Sequence, residues 1–283
     1  MSISVEQKFE IDAVYVGWPK CGSTWIFKFL QAQVDVAVPI QKSTDFFEVH
    51  HERGESWFAQ QFRDPTLVCV DISHDCIFSG AALNRIGTAS SPIKILVGLR
   101  NPYEWIISEF AYVTGTGRVD CSFSQFLENY PYALDHAKYE KHLRQLLNVV
   151  DRSQVTWLLL EDLRDDPSRY AERLVEALGA GVVAPSGFMV EEKVNVALKA
   201  RSPFLLSVLR AGAKVMARVG LSRKVEAFKR GSLRKYIFRA ADDVARDEFF
   251  GDLQVHRTQF IRTRDEVSKL MGRDLSQVWK TGF

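Results

Sequence analysis

Ile11 to Gly17 (IDAVYVG) is a short run rich in branched and aromatic residues that ends at a glycine, and the turn WPKCGS follows it. From Ser23 onward, Trp25, Ile26, Phe29 and Leu30 recur at helical spacing, with Ser23 or Thr24 suited to the cap. A strand that enters a glycine-bounded turn and leaves as a helix directs loop amides and the positive end of the helix at one point. That is an anion site, and it places the chain among α/β folds.

The same alternation continues. Thr66 to Ile72 (TLVCVDI), Ile93 to Leu99 (IKILVGL) and Val155 to Leu160 (VTWLLL) are apolar runs of strand length, separated by segments that can carry helices. Strands without polar alternation suit a sheet covered on both faces. The expectation is a doubly wound, mostly parallel sheet flanked by helices, with ligands at the carboxyl ends of its strands. One domain over residues 1–283 is expected, carrying a basic helical elaboration over 199–239.

Charge separates that elaboration from the rest. The formal net charge is only +2, which does not argue for nucleic acid, yet Lys199 to Arg239 holds twelve Lys or Arg against one acid, Glu226. Three readings are open for this segment: a solvated face, closure over a bound anion, and a peripheral contact with an anionic membrane, the least favoured of the three. The four cysteines, Cys21, Cys69, Cys76 and Cys121, form no CxxC pair and no zinc-type cluster, so a reducing compartment fits. No run approaches the roughly 18 apolar residues of a membrane span, and the N-terminus has no basic start followed by an apolar stretch. A cytoplasmic protein is expected.

Gly17 and Gly22 have the spacing of the triphosphate loop GxxxxGK[ST], but Ser23 stands where the lysine belongs and the lysine sits inside the loop as Lys20. In the triphosphate loop that lysine reaches the β- and γ-phosphates and the next hydroxyl holds magnesium. Here the charge is arranged for a different anion. Pro19-Lys20-Cys21-Gly22-Ser23-Thr24-Trp25 resembles the 5′-phosphosulfate loop, approximately PKSGTTW, of the sulfotransferases that use 3′-phosphoadenosine 5′-phosphosulfate (PAPS). The resemblance implies that Lys20, Cys21, Gly22, Ser23, Thr24 and Trp25 hold the donor, with Lys20 also stabilising charge during transfer.

A second motif follows the Ile93–Leu99 run: Arg100-Asn101-Pro102, with Ser108 eight residues after the arginine. Proline just after a strand suits a helix start, and an arginine fork matches a phosphate. The arrangement resembles the family's 3′-phosphate site and implies that role for Arg100 and Ser108. Supporting resemblances are Glu161-Asp162-Leu163 with Asp166-Pro167, Lys193-Val194-Asn195 with Arg201-Ser202, and Gly272-Arg273-Asp274-Leu275-Ser276 with Trp279. They point toward bacterial and carbohydrate-type members, in which a basic loop closes over the nucleotide, and Arg201 is the residue of the basic segment expected to touch it. Family members need no metal, and none is expected here.

The acceptor hydroxyl must lose a proton, which asks for a His, Glu or Asp within hydrogen-bond reach. Carbohydrate-type members use the glutamate of Lys-Glu-x-x-Phe-Phe, and the matching stretch here, Lys42 to Phe47, has Ser43 in that place. His74 and Asp45 rank equal as replacements, with Glu48, His50 and His51 behind them. Asp71 and His74 follow the second strand, where open sheets place their sites. Phe46, Phe47, Trp57 and Phe58 are either core or the wall of an acceptor pocket. The expected acceptor is a hydroxyl of a small molecule, sugar or glycosylated compound. Two rivals stand beside this reading: a metal-dependent nucleoside or small-molecule kinase, and a PAPS-binding scaffold without catalysis.

Overall fold

The computed structural model describes residues 9–179, 198–200, 238–240 and 249–280. Two compact units partition the chain, one of residues 1–105, 136–194 and 258–283, the other of 106–135 and 195–257.

The first unit is built on a five-stranded, all-parallel sheet of order β2-β3-β1-β4-β5. Its strands are β1 (Ala13–Gly17), β2 (Val36–Ala37), β3 (Val68–Asp71), β4 (Lys94–Leu99) and β5 (Val155–Leu159). Four of them fall inside the expected apolar runs. The edge strand β2 was not anticipated, because two residues are too short to register as a run. From β1 the chain passes through α1 (Ser23–Gln31) to that edge, returns to β3, and then crosses to β4 and β5 on the other side of β1. The loops after β1 and β4 therefore leave in opposite directions, the point at which open sheets of this kind place their ligands.

Helical periodicity supplies the cover. Trp25, Ile26, Phe29 and Leu30 of α1 join Tyr170, Ala171, Leu174 and Leu178 of the helix Pro167–Leu178 in one buried cluster with Ala13, Tyr15, Val70, Leu96 and Leu158 of the sheet. Gly98 on β4 is required by its neighbour. A Cβ there would fall 1.8 Å from the Tyr15 hydroxyl oxygen, so the tyrosine side chain crosses β4 only because glycine leaves the space.

The second unit contains most of α4, the helix Pro102–Gly115, together with the helix Phe123–Asn129, whose Ser122 and Gln125 form a capping box. Phe110, Phe123 and Phe249 pack ring against ring within it, with centroids 5.1 Å apart for Phe110–Phe123 and 4.5 Å for Phe123–Phe249. The expected helical elaboration over 199–239 lies outside the described residues except at its ends, which are strand: Leu198–Ala200 pairs antiparallel with Phe238–Ala240. Arg201 and the Lys193–Asn195 segment are outside the described residues as well. No helix among the described residues is long and apolar enough to cross a membrane.

Candidate active site

The loop between β1 and α1 is held from behind by its carbonyl groups. The Tyr15 hydroxyl lies 3.1 Å from Trp18 O and 3.4 Å from Cys21 O, the Trp105 indole Nε1 donates to Pro19 O at 2.9 Å, and Arg100 Nη1 reaches Lys20 O at 3.4 Å. Lys20 (φ 64°) and Gly22 (φ 87°) both lie in the left-handed region. Glycine adopts it freely; for a lysine it costs about 1 kcal/mol, so the surroundings must impose it. Gly22 then opens α1, whose first amides have no intrahelical acceptor.

Side chains complete the site. Lys42 Nζ donates to Ser23 Oγ at 2.9 Å and to Thr24 Oγ1 at 3.1 Å, so the lysine of the Lys42–Phe47 stretch joins the loop hydroxyls. Burial and then the charge of Lys20 lower Lys42 to about 8, with Asp75 opposing. The charge of Lys20 thus lies near enough to be felt by Lys42, which itself rests on the hydroxyls of the first turn of α1. Sequence reasoning matched Lys42 to its motif but missed it as a site residue. Its role depends on β2 bringing the chain back to α1.

Two members of the loop motif contribute differently from the rest. Cys21 is fully buried, and burial pushes its thiol far up, so it stays protonated and offers only its backbone. The Trp25 ring stacks on Phe29 at 5.1 Å within the core, and its amide donates to Gly22 O at 2.9 Å.

Arg100 is 7% exposed at the end of β4. Nη2 pairs with Glu104 Oε2 at 2.7 Å, Arg164 Nη1 shares the same carboxylate oxygen at 3.0 Å, and Arg100 Nε is buried without a hydrogen-bond partner among the described residues. Burial alone would raise Glu104, but the two guanidiniums prevail and hold its carboxyl below the usual range. Ser108 lies farther along α4, in the second unit.

Glu161 and Asp162 explain why the motifs at 161 and 272 accompany the nucleotide motifs. Glu161 Oε1 accepts from the amide of Asn101 at 2.8 Å, and its other oxygen accepts from Trp279 Nε1 at 3.3 Å. Burial raises this carboxyl despite those donors. Asn101 Nδ2 donates to Lys280 O at 2.9 Å, and Asp162 takes both Nη atoms of Arg273 at 2.6 and 2.7 Å. These groups buttress the start of α4.

The acceptor-side candidates gather beside Lys42. His74 is lowered, by burial first; Asp75 (Nδ1 to Oδ2 4.0 Å) and Asp45 pull it up while Lys42 and Lys20 push it down. Asp45, at φ 52°, accepts a short hydrogen bond from Ser43 Oγ and opens a π-helical turn over Phe46–His50. Glu48, half-buried, is raised to about 7 by burial and by Asp75 and Asp45. Asp71 is fully buried and raised to about 6 by burial, against hydrogen bonds from Ser73, Thr44 and the Ile72 backbone that favour its charged form; Ser73 Oγ donates to Oδ2 at 2.6 Å. His50 and His51 sit at the surface end of the turn, with His50 against Trp57 at 5.3 Å. Phe46, Phe47 and Phe58 are core: each is at most 4% exposed, and Phe46 stacks on Phe58 at 4.1 Å. No cluster of three or more His, Cys, Asp or Glu that could hold a metal occurs among the described residues.

With this geometry in place, comparison with known proteins decides the family. Residues 10–195 match the sulfotransferase domain. The chain belongs to that family. Its activity is sulfotransfer. A solved sulfotransferase from Alicyclobacillus acidocaldarius, 19% identical, superposes with a TM-score of 0.56 over 77% of this chain and 96% of that one, which shows the shared fold. No curated protein matches.

Proposed function

We propose that this chain transfers the sulfuryl group of PAPS to a hydroxyl of a small-molecule, sugar or glycosylated acceptor. When bound, PAPS supplies an activated sulfuryl group and a leaving 5′-phosphate. The observation that carries the reading is the crowding of Lys20 and Lys42 at the N-terminus of α1, with Lys42 on the Ser23 and Thr24 hydroxyls.

The loop amides, Lys20 and Lys42 hold the phosphosulfate end and neutralise charge that builds there as the phosphate oxygen–sulfur bond breaks. Arg100, whose Nε is buried without a partner among the described residues, takes the 3′-phosphate, and sequence spacing adds Ser108. His74 takes the acceptor proton as the new oxygen–sulfur bond forms. Its lowered pKa leaves the ring neutral at pH 7, and Asp75 stabilises the charge it gains. Asp45 contributes field rather than the proton transfer itself, since Ser43 occupies one of its oxygens.

The test is a thermal-shift titration with 3′,5′-adenosine diphosphate, the desulfated product, joined to a radiolabelled transfer assay from PAPS to phenol and sugar acceptors. The reading expects stabilisation without magnesium and label in an ester product. Stabilisation by ATP with magnesium alone would overturn it. Ser43 in the place of the family glutamate favours one second reading, a scaffold that binds PAPS and transfers nothing. Nucleotide binding with no label in any acceptor would support that scaffold.

A further inference from the structure

The phosphate loop has an unusual support. Four consecutive carbonyls, Trp18 O to Cys21 O, each lie within hydrogen-bond distance of a side-chain donor in the body of the first unit: Tyr15 of β1, Trp105 of α4 and Arg100 at the end of β4. A peptide group is planar and trans, so a carbonyl drawn toward the core turns the following N–H to the opposite side. The carbonyls of Pro19, Lys20 and Cys21 therefore set the direction of the amides of Lys20, Cys21 and Gly22, the ones that face an anion.

Lys20 adopts a left-handed conformation that a lysine does not choose unaided. Trp105 and Tyr15 are both fully buried, and their polar atoms must find partners; burial holds the Tyr15 phenol protonated and hence a donor. Gly98 gives independent support, because its missing side chain is what lets the Tyr15 hydroxyl reach the loop.

We propose that Trp105 and Tyr15 are positioning residues for the 5′ end of the nucleotide, holding the loop carbonyls back so that the amides converge on the anion. Neither touches the ligand. The inference rests on the PAPS reading above.

Two variants of the full-length chain test it, Trp105→Phe and Tyr15→Phe, each of which keeps a buried ring and removes one donor. Calorimetric titration with 5′-AMP, 3′-AMP and 3′,5′-adenosine diphosphate separates the two ends. Each variant is expected to raise the dissociation constants of 5′-AMP and of the diphosphate about fivefold, the effect of one buried hydrogen bond, and to leave 3′-AMP unchanged. Equal weakening of all three nucleotides, or unchanged 5′-AMP affinity, overturns the proposal. If one variant loses its cooperative melt, the other decides. Failure of the wild-type chain to bind any of the three would refute the PAPS reading itself, a result distinct from wild-type binding that the variants leave untouched.

Discussion

The two sides of the site are built on opposite principles. On the loop side, from the β1–α1 turn to Glu161, most polar groups are matched: carbonyls have donors, Glu104 holds two guanidiniums, and Asp162 takes a bidentate arginine, while Arg100 Nε is left without a partner among the described residues. On the acceptor side, Asp45, Glu48, Asp71 and Asp75 raise one another or their neighbours. The first arrangement fixes geometry. The second stores electrostatic cost among carboxylates beside the proposed base, His74, as perturbed groups at functional sites do.

The sharpest break of this contrast is Lys20→Met. If the loop lysine serves charge rather than fold, kcat/KM falls about 10³-fold while the melting temperature stays close to wild type. Steady-state kinetics beside a thermal melt reads both, and a large loss of stability would place Lys20 among the structural groups instead.

Asp71→Asn should move the opposite way. The folded carboxyl titrates near 6, above its unfolded value, so it retains its proton where the unfolded chain has lost one. Stability therefore falls as pH rises from about 4 through 6 and stays reduced above it. Removing the charge should recover up to about 3 kcal/mol at pH 7.5 and little at pH 4. Urea unfolding at the two pH values measures the difference; equal effects at both would deny that burial of this charge is costly.

His74→Ala should lower kcat about 10²-fold and abolish the acid limb of the pH profile, which in the wild type rises as pH climbs through the lowered histidine pKa. An alkaline limb remains, since Lys42 loses its charge as pH passes about 8 and the anion site weakens with it. Lys42→Met should remove that limb. A persistent acid limb in His74→Ala would transfer the proton-accepting role to Glu48 or Asp45.

The smallest effect belongs to Arg273→Ala. Its guanidinium is partly solvated, and a bidentate pair of that kind contributes about 0.5–1 kcal/mol. Chemical denaturation should show that loss with kcat unaltered.

The strand–turn–helix unit was legible in the sequence, because its signals are local. Gly17, Lys20, Gly22, Ser23 and Thr24 occupy one strand–turn–helix unit, and Arg100 follows a strand by a single residue. The pinning of that loop was not legible. Tyr15 and Trp105 read as ordinary apolar residues, and only the register of β1 against β4 shows that their polar atoms reach carbonyls. The acceptor side resisted more strongly. Lys42, Ser43 and Asp45 belong to one segment and His74 to another, and their meeting is settled by the return of the chain through β2 and β3. The aromatic run at 46, 47 and 58 was equally ambiguous until its stacking placed it in the core.

The clasp at the start of α4 bears on how the protein is born. Asn101 is held by the carbonyl of a residue 179 positions later, and Glu161 by an indole 118 positions later. A ribosome that has extruded all five strands of the parallel sheet has not yet made the segment that fastens Asn101 and Glu161. Contacts of such long range form slowly, and until they do the growing chain carries a finished sheet with an unfastened second motif.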